Sequence, residues 1–255
     1  MTTLLNFDLK SPHGIRGIRF HPTRKLQNEK RNQMTNNTVE LIGHYGSDEV
    51  HACSAWTSTS REITDEKRNR IPKLLTFLAE AGHHTPFEKS SLHFLVDCDI
   101  ASHIHLLKHR IGVSVNAESA RYKELKEDKF FVPDDWNEYW QDKLAYYTQQ
   151  GNELYHQCVG ELTDILGRKR AKESARFFKT YNSKITADVM FNWRSFYHFQ
   201  GLRNKPDAQK EIREIAQKML DLVKDIRVLK YVHKDGVNHP VRYSPFEHTI
   251  EAFGL

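Results

Sequence analysis

Apolar residues change their spacing twice between residues 64 and 111, and this change constrains the fold more than any other feature of the sequence. Those of 71–78 recur three or four positions apart, as in an amphipathic helix that Thr64 would cap. Those of 91–97 alternate with polar residues, as in a strand with one buried face. The helical spacing returns over 100–111. This part of the chain therefore predicts a helix, a strand and a helix in direct succession.

Helical patterns also dominate the rest of the chain. The apolar spacing predicts two helices over 136–150 and 153–168, a short helix over 193–201, and a last helix that Pro206 opens. A strand is predicted over 185–191. Helices outnumber strands and do not alternate with them regularly, so the pattern favours the α+β class over a repeated βαβ unit. We expect an antiparallel or mixed sheet flanked by helices.

Length and composition are typical of one globular domain with a substantial core. The chain has 255 residues, of which 38% are hydrophobic and 28% charged, and this excludes a disordered chain. No stretch approaches the roughly 18 consecutive apolar residues that a bilayer span needs. The first residues lack the basic and then apolar pattern of a secretory signal. We therefore expect a cytoplasmic protein that has no membrane partner.

The positive charge of the chain is concentrated near its start. Residues 1–38 carry seven Lys or Arg against two Asp or Glu, and so account for the whole formal net charge of +5. The remaining residues are neutral overall and give no basic nucleic-acid face, so no nucleic-acid partner is expected. We divide the chain into a basic arm (1–38), a main domain (39–229) and a tail (230–255). The arm is either solvated or clasps neighbouring subunits, and Asp8 argues against a mitochondrial presequence.

Cysteine and histidine spacing gives no sign of a metal or disulfide framework. Cys53, Cys98 and Cys158 lie far apart without a CxxC pair, so we expect reduced, unpaired thiols. His105 and His109 have the four-residue spacing of paired zinc ligands, but the intervening Glu and an obvious third ligand are missing. No metal site is predicted.

The most informative segment is Lys108–Tyr122, which reads KHRIGVSVNAESARY. It places His109 between two cations and follows them closely with Ser, Asn and Arg side chains. Hydroxyl and guanidinium groups at close range suit a phosphate, whose charge they can share. The alternative is an ordinary helix C-terminus, where cations complement the helix dipole.

This segment resembles the signature of flavin-dependent thymidylate synthases, written R-H-R, seven or eight residues, then S. Here eight residues separate Arg110 from Ser119. Three further blocks resemble segments of the same family in the same order: GHHTPFE at 82–88, RAKESARFF at 170–178, and FNWRSFYHFQGLR with AQKEIR at 191–213. The resemblance therefore rests on four ordered blocks that span residues 82–213.

The resemblance implies a role for each matching residue. Near the flavin it places His83, Thr85, Lys108, His109, Arg110, Glu118, Asn192, Arg194 and His198. On the nucleotide it places His105, Lys108, Ser119, Arg121, Arg176 and Arg203. Arg203 is the predicted catalytic residue, because a cation there would stabilise negative charge on the uracil ring as C5 becomes nucleophilic. Arg176 has an alternative as a surface charge paired with Glu173 on the same helix.

The activity that the resemblance implies is the reductive methylation of dUMP to dTMP. In this family FAD relays the one-carbon unit from 5,10-methylenetetrahydrofolate, NADPH is the reductant, and no enzyme cysteine attacks the pyrimidine. Family members are homotetramers whose sites draw residues from several subunits. Two other functions stay open: a related flavoenzyme that hydroxymethylates dUMP, and a non-catalytic nucleic-acid binder that uses residues 1–38.

Four positions depart from the family pattern. Lys108 replaces the first Arg of the signature and lacks the planar fork of a guanidinium. His198 stands where Asn is common, and Ala117 stands where Glu is common, with Glu118 one place further on. His105 either replaces a hydrogen-bond partner of the nucleotide or faces elsewhere. The departures at Lys108, Ala117 and His105 motivate the hydroxymethylating alternative.

Overall fold

The computed structural model describes residues 33–60, 62–119 and 121–255. Most of the predicted basic arm, residues 1–32, lies outside this part of the chain. None of the helices in the described ranges has the length and apolar character needed to cross a membrane.

Strands and helices alternate irregularly along the described ranges. The strands are β1 (Thr38–Tyr45), β2 (Ser91–Asp99), β3 (Val113–Ala117), β4 (Lys184–Phe191), β5 (Val228–Lys234) and β6 (Val237–Tyr243). The helices are α1 (Asp48–Trp56), α2 (Asp65–Glu80), α3 (Ile100–Leu107), α4 (Glu138–Leu166), α5 (Arg168–Ala175), α6 (Trp193–Arg203), α7 (Lys210–Lys224) and α8 (Glu247–Ala252). Two 3-10 turns complete these elements, at Thr85–Glu88 and Arg176–Phe178.

A four-stranded antiparallel sheet in the order β1–β2–β4–β3 forms the centre of the fold. Every second side chain of β2 is buried, including Leu92, Phe94 and Val96, and β4 alternates in the same way toward its end. Helix α7 contributes Ile212 and Ile215 to the same hydrophobic core. The predicted α+β class with an antiparallel sheet is confirmed.

The early helix–strand–helix prediction holds, except at its end. The Thr64 side chain accepts a hydrogen bond from the backbone N–H of Lys67 and so caps α2 as expected. Helix α3, however, ends at Leu107 and does not reach Ile111. Ile111 is 89% exposed, so its match to the helical spacing did not reflect burial.

Two further helix predictions are wrong. The predicted pair over 136–150 and 153–168 is one continuous helix, α4, because Thr148, Asn152 and Tyr155 are buried together across the proposed break. Pro206 does not open α7, which begins four residues later at Lys210. The Pro206 carbonyl instead accepts a hydrogen bond from the Arg213 guanidinium at 3.2 Å.

The predicted tail, residues 230–255, contains most of an exposed β5–β6 hairpin followed by α8. Phe246 is fully buried in the main hydrophobic core, where its ring stacks on Trp193 at 5.1 Å between centroids. The end of the chain is thus packed into the same core as the sheet. The division of the chain at residues 38 and 229 stays a prediction.

Helix α4 makes one close backbone contact that a single methyl group would disturb. A Cβ added at Gly151 would lie 2.5 Å from the carbonyl oxygen of Phe178. Gly151→Ala is therefore expected to lower the free energy of unfolding by about 1–3 kcal/mol. Urea denaturation curves measure this change.

Gly160→Ala is the matched control, because Gly160 lies in the same helix with no atom within 4 Å of an added Cβ. Alanine there is expected to raise the free energy of unfolding by up to about 1 kcal/mol, through helix propensity alone. Equal shifts for the two variants would contradict the close contact at Gly151.

Candidate active site

A cleft of about 560 Å³ opens between the loop that follows α3 and the outer face of α6. Four cationic side chains and three imidazoles line it with only one carboxylate among them, so it favours an anionic ligand. The residues that line it are His84, Glu88, Lys108, His109, Arg110, Ile111, Val113, Asn192, Arg194, Ser195, Tyr197, His198, Leu202 and Arg203.

The loop is fixed against the first turn of α6 by a small set of hydrogen bonds. Asn192 caps α6 through its side chain, which accepts from the Ser195 backbone N–H at 2.9 Å. The Ser195 hydroxyl donates to the Ile111 carbonyl at 2.6 Å, and the Asn192 backbone N–H donates to the Gly112 carbonyl at 3.0 Å. The Asn192 side chain serves the helix cap while it also borders the cleft.

Gly112 permits this close approach of loop and helix. Its φ is +65°, in the left-handed region that glycine adopts without strain. An added Cβ would lie 2.3 Å from the Asn192 amide nitrogen and 2.4 Å from the Ser195 hydroxyl oxygen. The position therefore requires glycine for both its conformation and its packing.

Arg203 and His109 form the central contact of the cleft. The Arg203 Nε–H donates to Nε2 of His109 at 3.1 Å, so this nitrogen carries a free lone pair and the imidazole is neutral. Burial, the nearby Arg203 charge, His198 and His105 together lower the pKa of His109 to about 4. The terminal amino groups of Arg203 make no hydrogen bond to any described residue, and they are available to a ligand.

Arg194 is the second oriented guanidinium of the cleft. It donates to the Glu88 carboxylate at 2.6 Å and forms an ion pair with it, with both side chains partly exposed. Glu88 ends the 3-10 turn Thr85–Glu88, so this turn and α6 are joined across the cleft. Part of the Arg194 charge is therefore balanced within the protein.

The structure places seven of the predicted site residues in this one cleft: Lys108, His109, Arg110, Asn192, Arg194, His198 and Arg203. Seven further residues also line it: sequence reasoning interpreted Tyr197 as core or flavin-wall packing and gave no site role to His84, Glu88, Ile111, Val113, Ser195 or Leu202. All seven lie inside the four matched sequence blocks, so these blocks were the available signal. The roles of all these residues remain predictions.

Three predicted residues lie near the cleft but do not line it. The His105 imidazole is 3.1 Å from the side-chain oxygen of Gln209, so it faces α7 and not the cleft. This supports the alternative in which His105 faces elsewhere. His83 is exposed after α2, with its ring 6.3 Å from that of Phe77, and Thr85 is exposed at the start of its 3-10 turn.

The remaining predicted residues belong to a second group, at the other end of β3. Glu118 pairs with Lys123 at 2.5 Å and borders a separate cleft of about 240 Å³ that is rich in lysine. The Ser119 hydroxyl accepts from the backbone N–H of Arg121 at 3.3 Å. None of these three predicted residues lines the cleft at α6.

Arg176 lies at the end of α5, the helix that packs beside this second group. Lys172 of α5 donates to the carbonyl of Tyr122, directly after Arg121, at 3.2 Å. Arg176 is exposed and does not pair with Glu173, whose partner is Arg170 at 3.5 Å. The ion pair with Glu173, which was the alternative for Arg176, is therefore not formed, and the guanidinium of Arg176 is open to solvent.

No cysteine is placed to act in the cleft. All three cysteines are free thiols, and none lines it. Burial raises the pKa of the Cys98 thiol to about 12, which keeps it protonated. Within the described ranges, no three His, Cys, Asp or Glu side chains are grouped to hold a metal ion.

Comparison with known proteins gives consistent matches over most of the chain. A family model of thymidylate synthase complementing proteins matches residues 40–227. The flavin-dependent thymidylate synthase of Pseudothermotoga lettingae is 31% identical over 198 residues, which cover 74% of this chain and 85% of that protein. The flavin-dependent thymidylate synthase of Tropheryma whipplei is 31% identical over 205 residues, which cover 74% and 84%.

A solved structure is also similar. The UMP/dUMP methylase PolB from Streptomyces cacaoi, bound with 5-Br dUMP, superposes with a TM-score of 0.62 at 27% identity, and the match covers 75% of this chain and 92% of that one. The family match includes every residue that lines the cleft at α6 and both groups of predicted site residues. The chain belongs to the family of thymidylate synthase complementing proteins.

Proposed function

We propose that the protein is a thymidylate synthase that methylates dUMP to dTMP. FAD is its cofactor, 5,10-methylenetetrahydrofolate the one-carbon donor and NADPH the reductant. The observation that carries the proposal is the cationic cleft in which neutral His109 holds the Arg203 guanidinium at 3.1 Å. Two relatives that are 31% identical to this chain and bear the name flavin-dependent thymidylate synthase support it.

The side chains of the cleft fit a flavin dinucleotide. Lys108, Arg110 and Arg194 would hold its phosphates, because cations with several N–H donors suit phosphate oxygens. Ile111 and Val113 offer apolar surface on which a ring system packs. When bound, the flavin supplies the reducing equivalents and relays the one-carbon unit.

Arg203 is the proposed catalytic residue. Its Nε–H is committed to His109, which orients the guanidinium, while its terminal amino groups are available to the uracil ring. A fixed cation stabilises the negative charge that develops as C5 becomes nucleophilic, and a fixed group needs little reorganisation in that step. The neutral His109 matters here because a protonated imidazole could not accept this hydrogen bond.

A homotetramer would bring the two groups of residues together. In one chain, Ser119, Arg121 and Arg176 lie outside the cleft that holds Arg203. We propose that a second subunit supplies them to this cleft, where they bind the nucleotide. The exposure of Arg121 and Arg176, neither of which has an ion-pair partner among the described residues, supports this assignment.

Hydroxymethylation of dUMP is the second candidate reaction. Two of the four departures from the family pattern, Lys108 and His198, line the cleft and so could change how the one-carbon unit is processed. The two candidates differ by the product, since a methyl group requires a reduction step that a hydroxymethyl group does not.

The purified protein is expected to bind FAD and become yellow. With methylenetetrahydrofolate and NADPH it should release tritium from C5-labelled dUMP, and mass analysis of the nucleotide should find dTMP. A 5-hydroxymethyl product would select the second candidate. A colourless protein that takes up no FAD, or one that leaves the tritium at C5 of dUMP, would contradict both.

Arg203→Ala is expected to retain FAD but to lose turnover by about 100- to 1,000-fold, because an oriented group that stabilises developing charge contributes on this scale. Flavin absorbance after gel filtration measures retention, and tritium release measures turnover. Arg242→Ala is the matched control, since Arg242 is an exposed arginine of the β5–β6 hairpin. Full activity of Arg203→Ala would overturn the catalytic assignment.

A further inference from the structure

The last residues of the chain lie beyond the family match, which ends at residue 227, yet they pack beneath the cleft. The Phe253 ring lies 5.4 Å from that of His84 and 4.5 Å from that of Tyr197, between centroids. Both neighbours line the cleft. Phe253 also packs edge-on against the buried Phe87 at 4.7 Å. It therefore supports one wall of the cleft from behind.

The backbone around Phe253 is anchored by a buried carboxylate. Asp48 accepts hydrogen bonds from the backbone N–H groups of His248 and Thr249, at 2.9 and 2.8 Å. It also accepts from the Thr249 hydroxyl at 2.6 Å. Burial of a carboxylate costs free energy unless its oxygens accept hydrogen bonds. Three donors from α8 meet this requirement and fix the helix to the start of α1.

The hydrogen bonds continue from Thr249 to the base of the cleft. Because the Thr249 hydroxyl donates to Asp48, its oxygen accepts from Nδ1 of His51 at 3.0 Å. Nε2 of the same ring then accepts from the Ser90 hydroxyl at 2.9 Å. Burial lowers the pKa of His51 to about 4, so the ring is neutral. A neutral ring can donate through Nδ1 while it accepts at Nε2, as these two hydrogen bonds require. Ser90 lies two residues after Glu88, so this chain of hydrogen bonds ends beside the 3-10 turn Thr85–Glu88. Glu88 of that turn lines the cleft.

We propose that Phe253 is a positioning residue that sets the orientation of His84 and Tyr197 and thereby the affinity of the cleft for its flavin. The inference rests on the proposed function. Aromatic walls of a ligand site must be held from outside it, because a ring that rotates freely loses packing against the ligand. The anchor at Asp48, Thr249 and His51 keeps Phe253 in place and does not itself touch the cleft.

The test compares substitutions of two aromatic residues, Phe253 beside the cleft and Phe130 in a separate hydrophobic cluster. Phe253→Ala removes the support, and Phe253→Tyr retains the ring. Phe130→Leu is the control for stability, because Phe130 is fully buried in a separate cluster with Val132 and Ala145, and none of these three residues lines the cleft or belongs to the anchor. Three quantities are measured in the full chain: the Tm, the Kd for FAD, and the rate at which diethyl pyrocarbonate modifies His84 relative to His83.

Phe253→Ala is expected to raise the Kd for FAD about tenfold and the relative modification rate of His84 about threefold, since a small displacement of a binding wall has effects of this size. Phe253→Tyr should restore both quantities. Phe130→Leu should lower the Tm at least as much as Phe253→Ala, but it should leave both other quantities unchanged.

An unchanged Kd and an unchanged His84 rate in Phe253→Ala would overturn the inference, as would equal changes in Phe130→Leu. If the wild-type chain does not bind FAD, the proposed function fails, and the His84 rate alone then decides the positioning role. A faster rate in Phe253→Ala would still support that role, and an equal rate would overturn it.

Discussion

The contact between the loop after α3 and the first turn of α6 decides whether this fold has a cleft at all. The Ser195 hydroxyl and the Asn192 backbone hold two successive carbonyls of the loop, and Gly112 allows the approach. Because the loop is fixed on this side, its cationic residues face the outer surface of α6. The sheet positions both elements, because the loop leads into β3, and β4, which pairs with β3, leads into α6.

The electrostatics of the cleft follow from one neutral imidazole among cations. Arg203 and His109 approach within 3.1 Å only because His109 accepts and carries no charge. Its pKa in the folded state, about 4, is below the ordinary value of 6.5. Its contribution to stability is therefore complete above about pH 6.5 and is lost as the pH falls toward 4. Neutrality at physiological pH leaves the guanidinium as the charged group that a substrate meets.

Local patterns predicted the parts of this structure that depend on local chemistry, such as the helix capped by Thr64 and the alternating strand β2. They failed where distant contacts decide the outcome. Helix α4 continues without a break at Gly151 because tertiary packing stabilises it there. Phe253 packs against a residue of the cleft, although no sequence pattern near it predicted this contact. The sequence blocks predicted all four cationic residues of the cleft, but spacing along the chain could not show that Arg176 lies on another surface.

The proposed tetramer has a site that combines Arg203 of one subunit with Arg176 of another. Chains that carry Arg203→Ala and chains that carry Arg176→Ala should each be nearly inactive at low dUMP concentration. Co-assembled in equal amounts, they should recover up to about one quarter of the wild-type turnover per site, because that share of interfaces would hold both arginines. Activity no greater than the mean of the two parent variants would contradict the shared site.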